Sequence, residues 1–439
     1  MLSKFAPVNK MIPMDSSYNY RCKVQTVYGT DRNKRIISGI YQSSSKTLVA
    51  VDDCMLEDER AAPIVATVKK LMKDMRIAPY DIRTERGILR HTLIRTSQTT
   101  GQVMLVLVTA SAMLPSKNNF VKAMLKAHPE ITTIVQNICP DGIPLTLGER
   151  SNILYGKGFI EDELCGCRFR ISPASFYQVN PVQTEKLYTC AVKAAGIREG
   201  TKVIDAYCGT GTIGIICAKN GAETTGVELN RSACRDAVIN AKRNGIDNIR
   251  FFNDDAACFM QDMALRGESC DVLIMDPPRA GASKKFISSA VKLAPEKIVY
   301  VSCKIETLER DLRLFRQQGY KVSYIQPVDM FPHTVGIETV ALLSKLSEAK
   351  HHIEVKVDMD EPDLTSAEAK ATYKEIRDWV QEKYGFLVTN LNIAQVKQKH
   401  GIIGRENYNK PKSENSRQSG CPVEKVKAIE DAMRHFQMI

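Results

Sequence analysis

Between residue 183 and about residue 346, short apolar runs alternate with amphipathic stretches, and this rhythm constrains the fold more than any other feature. Lys202–Ala206, Glu223–Glu228, Ile249–Asn253, Val272–Met275 and Lys297–Ser302 read as strands. Ile213–Lys219, Arg231–Asn244, Lys284–Leu293 and Ile305–Gln318 read as the helices between them. Strands separated by a helix each need crossover connections, and crossovers build a doubly wound parallel sheet. The expected class is therefore α/β.

The flanks follow other patterns. Tyr20–Val27 and Ile36–Tyr41 are strand-like around the polar turn Gly29–Arg35, and Ala61–Met75 has helical spacing. Gly87–Thr96 and Gln102–Thr109 read as a hairpin about Thr99–Gly101. Val121–His128 reads as a helix stopped by Pro129, and Ile131–Asn137 as another strand. An α+β module over residues 1–180 is expected. Beyond Ser347, Met359–Leu364 is acidic, and helices are predicted over Thr372–Tyr384 and Asn392–His400. Gly404–Glu424 is polar and reads as extended. A small, mainly helical extension over 348–439 is expected.

Lys+Arg outnumber Asp+Glu by 61 to 50, a net charge of +11 that suits a polyanionic partner without requiring one. There is no apolar run of transmembrane length and no charged-then-apolar leader, so no membrane partner and a cytoplasmic location are expected. The 13 cysteines include no Cys-x-x-Cys pair. No metal site and no iron–sulfur cluster are expected, and any reactive thiol must be found from its context.

That context lies at strand ends. Lys202–Asp205 runs into Tyr207-Cys208-Gly209-Thr210-Gly211-Thr212, a turn whose glycines let backbone approach a ligand at a helix start. Glu228 ends the second strand, where a carboxylate grips the ribose hydroxyls of an adenosine ligand. Asp255 follows the third strand, where it reads equally as an adenine contact or a helix N-cap. Asp276 follows the fourth, and Cys303 the fifth. The helix start near Glu306 and the charge of Lys304 are expected to lower the Cys303 pKa. Phe176, Tyr177 and Phe331 are either core aromatics or stacking partners for a base.

Several segments together resemble one family. Ser175-Phe176-Tyr177-Gln178-Val179-Asn180, Asp205–Thr212, Asp276-Pro277-Pro278-Arg279, Ser302-Cys303 with Thr307-Leu308 and Arg310-Asp311-Leu312, and Phe331-Pro332-His333-Thr334 with Glu338 occur in that order. The chain resembles the RNA uracil-carbon-5 methyltransferases that act on 23S ribosomal RNA or on the T-loop of transfer RNA, over roughly residues 18–346. The resemblance implies a Rossmann-like methyltransferase domain at 181–347, preceded by an RNA-contacting domain at 1–180. It implies that Gln178, Tyr207, Thr212, Glu228, Asp255 and Asp276 contact S-adenosylmethionine. Cys303 would be the nucleophile that adds to carbon 6 of uracil, and Glu338 the base that takes the proton from carbon 5. The leading expectation is methylation of 23S ribosomal RNA, with transfer RNA second. A rival of another class is a non-catalytic RNA-binding or RNA-folding protein, which need not retain the Cys303 and Glu338 pair.

The chain departs from the family in four places. The N-terminal barrel of many members is missing, and Cys54 is the only counterpart of their four cluster ligands. Gly336 stands where His is common, and Lys304-Ile305 where Asn-Pro is usual. The extension with Lys397, Lys399, Arg405, Lys410, Lys412 and Arg417 reads equally as an RNA-binding appendage in place of the barrel or as a solvated tail with a modest helical cap.

Overall fold

The computed structural model describes residues 1–42, 45, 47–140, 146–346, 373–400, 422–436 and 438–439. The chain divides into two compact units, Met1–Ser347 and Glu348–Ile439.

The first part of the larger unit is a sheet of β1 (Lys23–Thr30), β2 (Ile36–Tyr41), β3 (Leu48–Ala50), β4 (Leu89–Thr96), β5 (Val103–Thr109), β6 (Ile131–Ile138) and β7 (Arg150–Tyr155), in the order β3-β2-β1-β4-β5-β6-β7. Helices α1 (Ala61–Asp74) and α2 (Lys117–Ala127) cover one face with Ile64, Val68, Met72, Phe120 and Met124. The other face contributes Leu93, Met104, Val106 and Val108 to a core shared with Phe169, Tyr177 and Leu187. Both faces of β5 are thus covered, which explains its unbroken apolar run Val103–Val108. The hairpin of β4 and β5 forms as expected.

A small hairpin, β8 (Ile160–Leu164) and β9 (Cys167–Ile171), and helix α3 (Pro181–Ala195) lead into the second sheet. Its elements are β10 (Lys202–Ala206), α4 (Thr212–Lys219), β11 (Glu223–Val227), α5 (Arg231–Arg243), β12 (Ile249–Phe252), α6 (Ala256–Leu265), β13 (Val272–Met275), α7 (Lys284–Leu293), β14 (Lys297–Ser302), α8 (Ile305–Gln317), β15 (Tyr320–Val328) and β16 (Glu338–Lys345). The strand order is β12-β11-β10-β13-β14-β16-β15. The first five strands are mutually parallel, as expected. The sequence pattern did not reveal the last two: β16 runs antiparallel between β14 and β15, so β15 is again parallel to the first five. Their ladder carries a register shift at Val322/Tyr324, and Pro327 interrupts the donor pattern, so the period-2 signal is broken. Strand order reverses between β10 and β13, the point at which open α/β sheets bind ligands.

The smaller unit contains α9 (Tyr373–Tyr384), α10 (Asn390–Lys399) and α11 (Val423–His435). They bury Ile376, Val380, Ile393, Val396, Ala428, Ile429, Ala432 and Met433 against one another. The third helix was not expected. Lys397 is only 2% exposed, so it adds no charge to an outward basic surface. Lys399 and His400 pair with Glu430. Arg405, Lys410, Lys412 and Arg417 lie outside the described residues, as do the acidic stretch Met359–Leu364 and most of the polar stretch Gly404–Glu424.

Candidate active site

The turn after β10 is held in unusual backbone geometry. Tyr207, Gly209 and Gly211 all have positive φ, at 65°, 57° and 80°. A side chain on Gly211 would also meet Phe251 at 2.8 Å. For Tyr207 that conformation costs free energy, and such strain concentrates at functional sites. Its ring stacks on Phe286 with centroids 5.0 Å apart. Glu228, just past β11, accepts the Gly209 N–H at 2.9 Å and the Asn230 N–H at 2.7 Å. Its carboxylate is therefore fixed against the glycine turn. Asp205 lies beneath, accepting the Gly214 N–H at 2.7 Å, and burial beside Asp276 and Glu228 pushes it up to about 7. Gln178 and Thr212 lie near the buried Tyr188 hydroxyl and partly offset the upward pKa shift that burial gives it.

Sheet register assembles the second half of the site. β14 and β16 are antiparallel with Ser302 opposite Thr339. Cys303 follows Ser302 and Glu338 precedes Thr339, so both lie at this end of the ladder, close enough for Glu338 to act on the thiol. Asp276 follows Met275, the last residue of β13, and that strand pairs with β14 through Met275 and Tyr300. The three side chains are electrostatically coupled. Glu338 is 3% exposed, and among the described residues its Oε2 has no hydrogen-bond partner. Burial and the nearby Asp276 push it up to about 8, partly offset by Arg279. Asp276 keeps a solvent-facing edge, yet close packing around it raises its carboxyl to about 7.

Cys303 does not have the lowered pKa expected from sequence. Burial raises it, Glu338 and Asp276 raise it further, and the main cation acting on it is Arg279 rather than Lys304. Lys304 is exposed, and its main chain is tied down by Ser302 and Thr307. Those bonds order the loop where Lys304-Ile305 replaces Asn-Pro. Gly336 has a comparable local reason: a Cβ there would lie 2.9 Å from the Phe331 ring.

The remaining predicted residues divide. Asp255 is an N-cap, accepting the Cys258 N–H at 3.0 Å, which holds it below the usual carboxylate range. It is exposed and still acts electrostatically on Tyr207. Tyr177 is a core residue at 4% exposure, whereas Phe176 is 64% exposed beside Gln178, and Phe331 is half-buried. Sequence reasoning did not single out Asp205, Tyr188 or Arg279 as site residues. Asp205 and Arg279 stood inside recognised motifs; Tyr188 is one polar position on an ordinary amphipathic helix. Among the described residues no group of acids, histidines and cysteines is arranged to hold a metal ion, and no helix is long and apolar enough to cross a membrane.

A family model described as tRNA (uracil-5-)-methyltransferase matches residues 148–346. An uncharacterized RNA methyltransferase of Clostridium acetobutylicum is 39% identical over 341 residues, which is 78% of this chain and 74% of that protein. One from Clostridium tetani is 37% identical over 343 residues, with the same coverage of 78% and 74%. The crystal structure of Pyrococcus abyssi tRNA (uracil-54, C5)-methyltransferase in complex with S-adenosyl-L-homocysteine is similar at a TM-score of 0.63 and 27% identity, covering 76% of this chain and 78% of that one. The chain belongs to this family of RNA methyltransferases, the tRNA (uracil-5-)-methyltransferase family.

Proposed function

We propose that the crevice methylates carbon 5 of a uridine in RNA, with Cys303 as nucleophile and Glu338 as base. The observation that supports this reading is that β14 and β16 end together, with Cys303 just past one strand and Glu338 opening the other, and that Glu338 is buried with no hydrogen-bond partner for Oε2 among the described residues. The donor set also fits the methyl donor. Asp276 and Glu228 both act on the buried Asp205 to raise it, and a cationic ligand relieves that repulsion. Gln178, Tyr207, Thr212, Glu228, Asp255 and Asp276 would hold S-adenosylmethionine, which supplies the electrophilic methyl group when bound.

The residues then divide the chemistry. The Cys303 thiolate adds to carbon 6, and the electrons of the 5,6 double bond move toward the carbonyl at carbon 4. Carbon 5, now nucleophilic, takes up the methyl group. Glu338 accepts the proton from carbon 5; the double bond re-forms and the thiolate leaves. A carboxyl near 8 is a strong base once ionised, and Arg279 offsets the negative charge at the thiol. The target base must leave its stack to enter the crevice, and the exposed Phe176 ring offers it a stacking surface.

For the substrate we take 23S ribosomal RNA first; transfer RNA is the second reading, favoured by the similarity to the Pyrococcus abyssi enzyme. Mass spectrometry of both RNAs, with and without the gene, tests this. Loss of 5-methyluridine from 23S ribosomal RNA supports the first reading, and loss from transfer RNA the second. Unchanged 5-methyluridine in both would sink the function.

A further inference from the structure

The first sheet holds a pair of cations whose placement costs stability. Lys23 on β1 stands directly opposite Arg95 on β4. Directly opposed residues of an antiparallel pair share a face with Cβ atoms roughly 5 Å apart, and like charges there repel. Among the described residues neither has an ion-pair partner. Arg95 is 3% exposed, its Nη2 donates only to the main-chain carbonyls of Pro173 and Ser175, and its Nε has no partner. Lys23 is half-buried and draws no carboxylate; burial, Arg95 and Arg21 together pull its ammonium down to about 8. The two acids that act on neighbouring Cys22 are committed elsewhere. Asp58 is bound by Arg60 and Thr96, and Asp162 by Ser97, Thr99 and Tyr177.

This pair abuts the candidate active site. The carbonyls that Arg95 holds belong to the segment carrying Phe176 and Gln178. The same segment is pinned from the other side, where Cys22 donates through its Sγ to the Gln178 carbonyl and through its N–H to the Val179 carbonyl. A cationic pair without a counter-ion is expected where a ligand brings the negative charge. We propose that Lys23, backed by the buried Arg95, is a phosphate site for the RNA strand next to the target uridine. Lys23 contacts a phosphate oxygen, and Arg95 adds charge while fixing the segment on which the base stacks. The assignment rests on the methyltransferase reading.

The test uses the full chain carrying Lys23→Met, which keeps the side-chain stem and removes the charge. The probes are the transcript whose 5-methyluridine depends on the gene, and S-adenosylhomocysteine. Without RNA, the melting temperature of the variant should rise, because the repulsion is gone. Affinity for the transcript should fall about tenfold at low salt, the loss of one charge-assisted contact. The slope of log affinity against log salt should shrink by about 0.7–0.9, one phosphate contact. Binding of S-adenosylhomocysteine should not change. A lower melting temperature with an unaltered salt slope would make Lys23 a structural residue and overturn the proposal. A loss confined to S-adenosylhomocysteine binding would overturn it too, since the anion would then be the cofactor's carboxylate. If the unaltered protein neither binds nor methylates the transcript, the methyltransferase reading itself fails.

Discussion

At the scale of single residues, the site stores protons. Glu338 stays protonated to about 8, and Asp276 and Asp205 to about 7, whereas the unfolded carboxyls release theirs near 4.5 and 3.8. The native state therefore binds more protons than the unfolded one between roughly pH 4 and 8, so stability falls as pH rises through that window. Glu338→Gln removes one of these charges at constant volume. Its melting temperature at pH 8 should exceed the wild-type value by at least about 2 °C, a shift corresponding to about 1 kcal/mol, while turnover is lost; a lower melting temperature would contradict the burial argument. Glu338 as the proposed base must be ionised to work, so kcat/KM of the unaltered enzyme should rise with pH through about 8. A profile already flat from pH 6 would place the essential base elsewhere. Cys303, Asp276 and Glu228 were legible because each closes an apolar run at a strand end. The direction of the thiol shift was not, because it depends on two carboxylates and one guanidinium that only the folded sheet brings together.

At the scale of elements, α8 acts as a clamp on the loop that carries Asp276 and Arg279. Arg310 donates to the carbonyls of Ala280 and Ala282, and Thr307 to that of Arg279. Asp311 is fully buried and accepts from the Ala282 N–H and the Tyr300 hydroxyl, each at 2.7 Å. Gly281 is required at the contact: its φ is +74°, and a Cβ would lie 2.6 Å from both Arg310 and Asp311. Asp311→Ala leaves the Ala282 N–H and the Tyr300 hydroxyl buried without partners, and should cost about 3–5 kcal/mol in denaturant unfolding. A loss below about 1 kcal/mol would show that the clamp carries little. The alternation of strands and helices made the five parallel strands readable. β15 and β16 were hidden by a bulge and a proline, and with them the pairing of Thr339 with Ser302 that brings Glu338 to the Cys303 end of β14.

At the scale of the whole molecule, the two units have separate cores. The C-terminal core is formed by residues from Ile376 to Met438, and the three clusters of the larger unit draw on no residue of it. A chain ending at Ser347 should keep its main melting transition within about 2 °C, a shift of about 1 kcal/mol or less, and should bind S-adenosylhomocysteine as the full chain does, which calorimetry can measure. Loss of cofactor binding would show that the extension completes the site. The extension was readable only as helical: its third helix follows a polar stretch that masks its start, and burial of Lys397 cannot be seen from charge patterning. The proposed function turns on one chemical event, the bond between Cys303 and carbon 6 of uracil. Incubating the protein with 5-fluorouridine-containing RNA and S-adenosylmethionine measures it directly, because fluorine at carbon 5 cannot be removed as a proton and the adduct is trapped. The unaltered chain should form a denaturation-resistant protein–RNA adduct that maps to Cys303, and Cys303→Ala should form none. An adduct of equal yield in Cys303→Ala, or one mapped to another cysteine such as Cys208, would contradict the account.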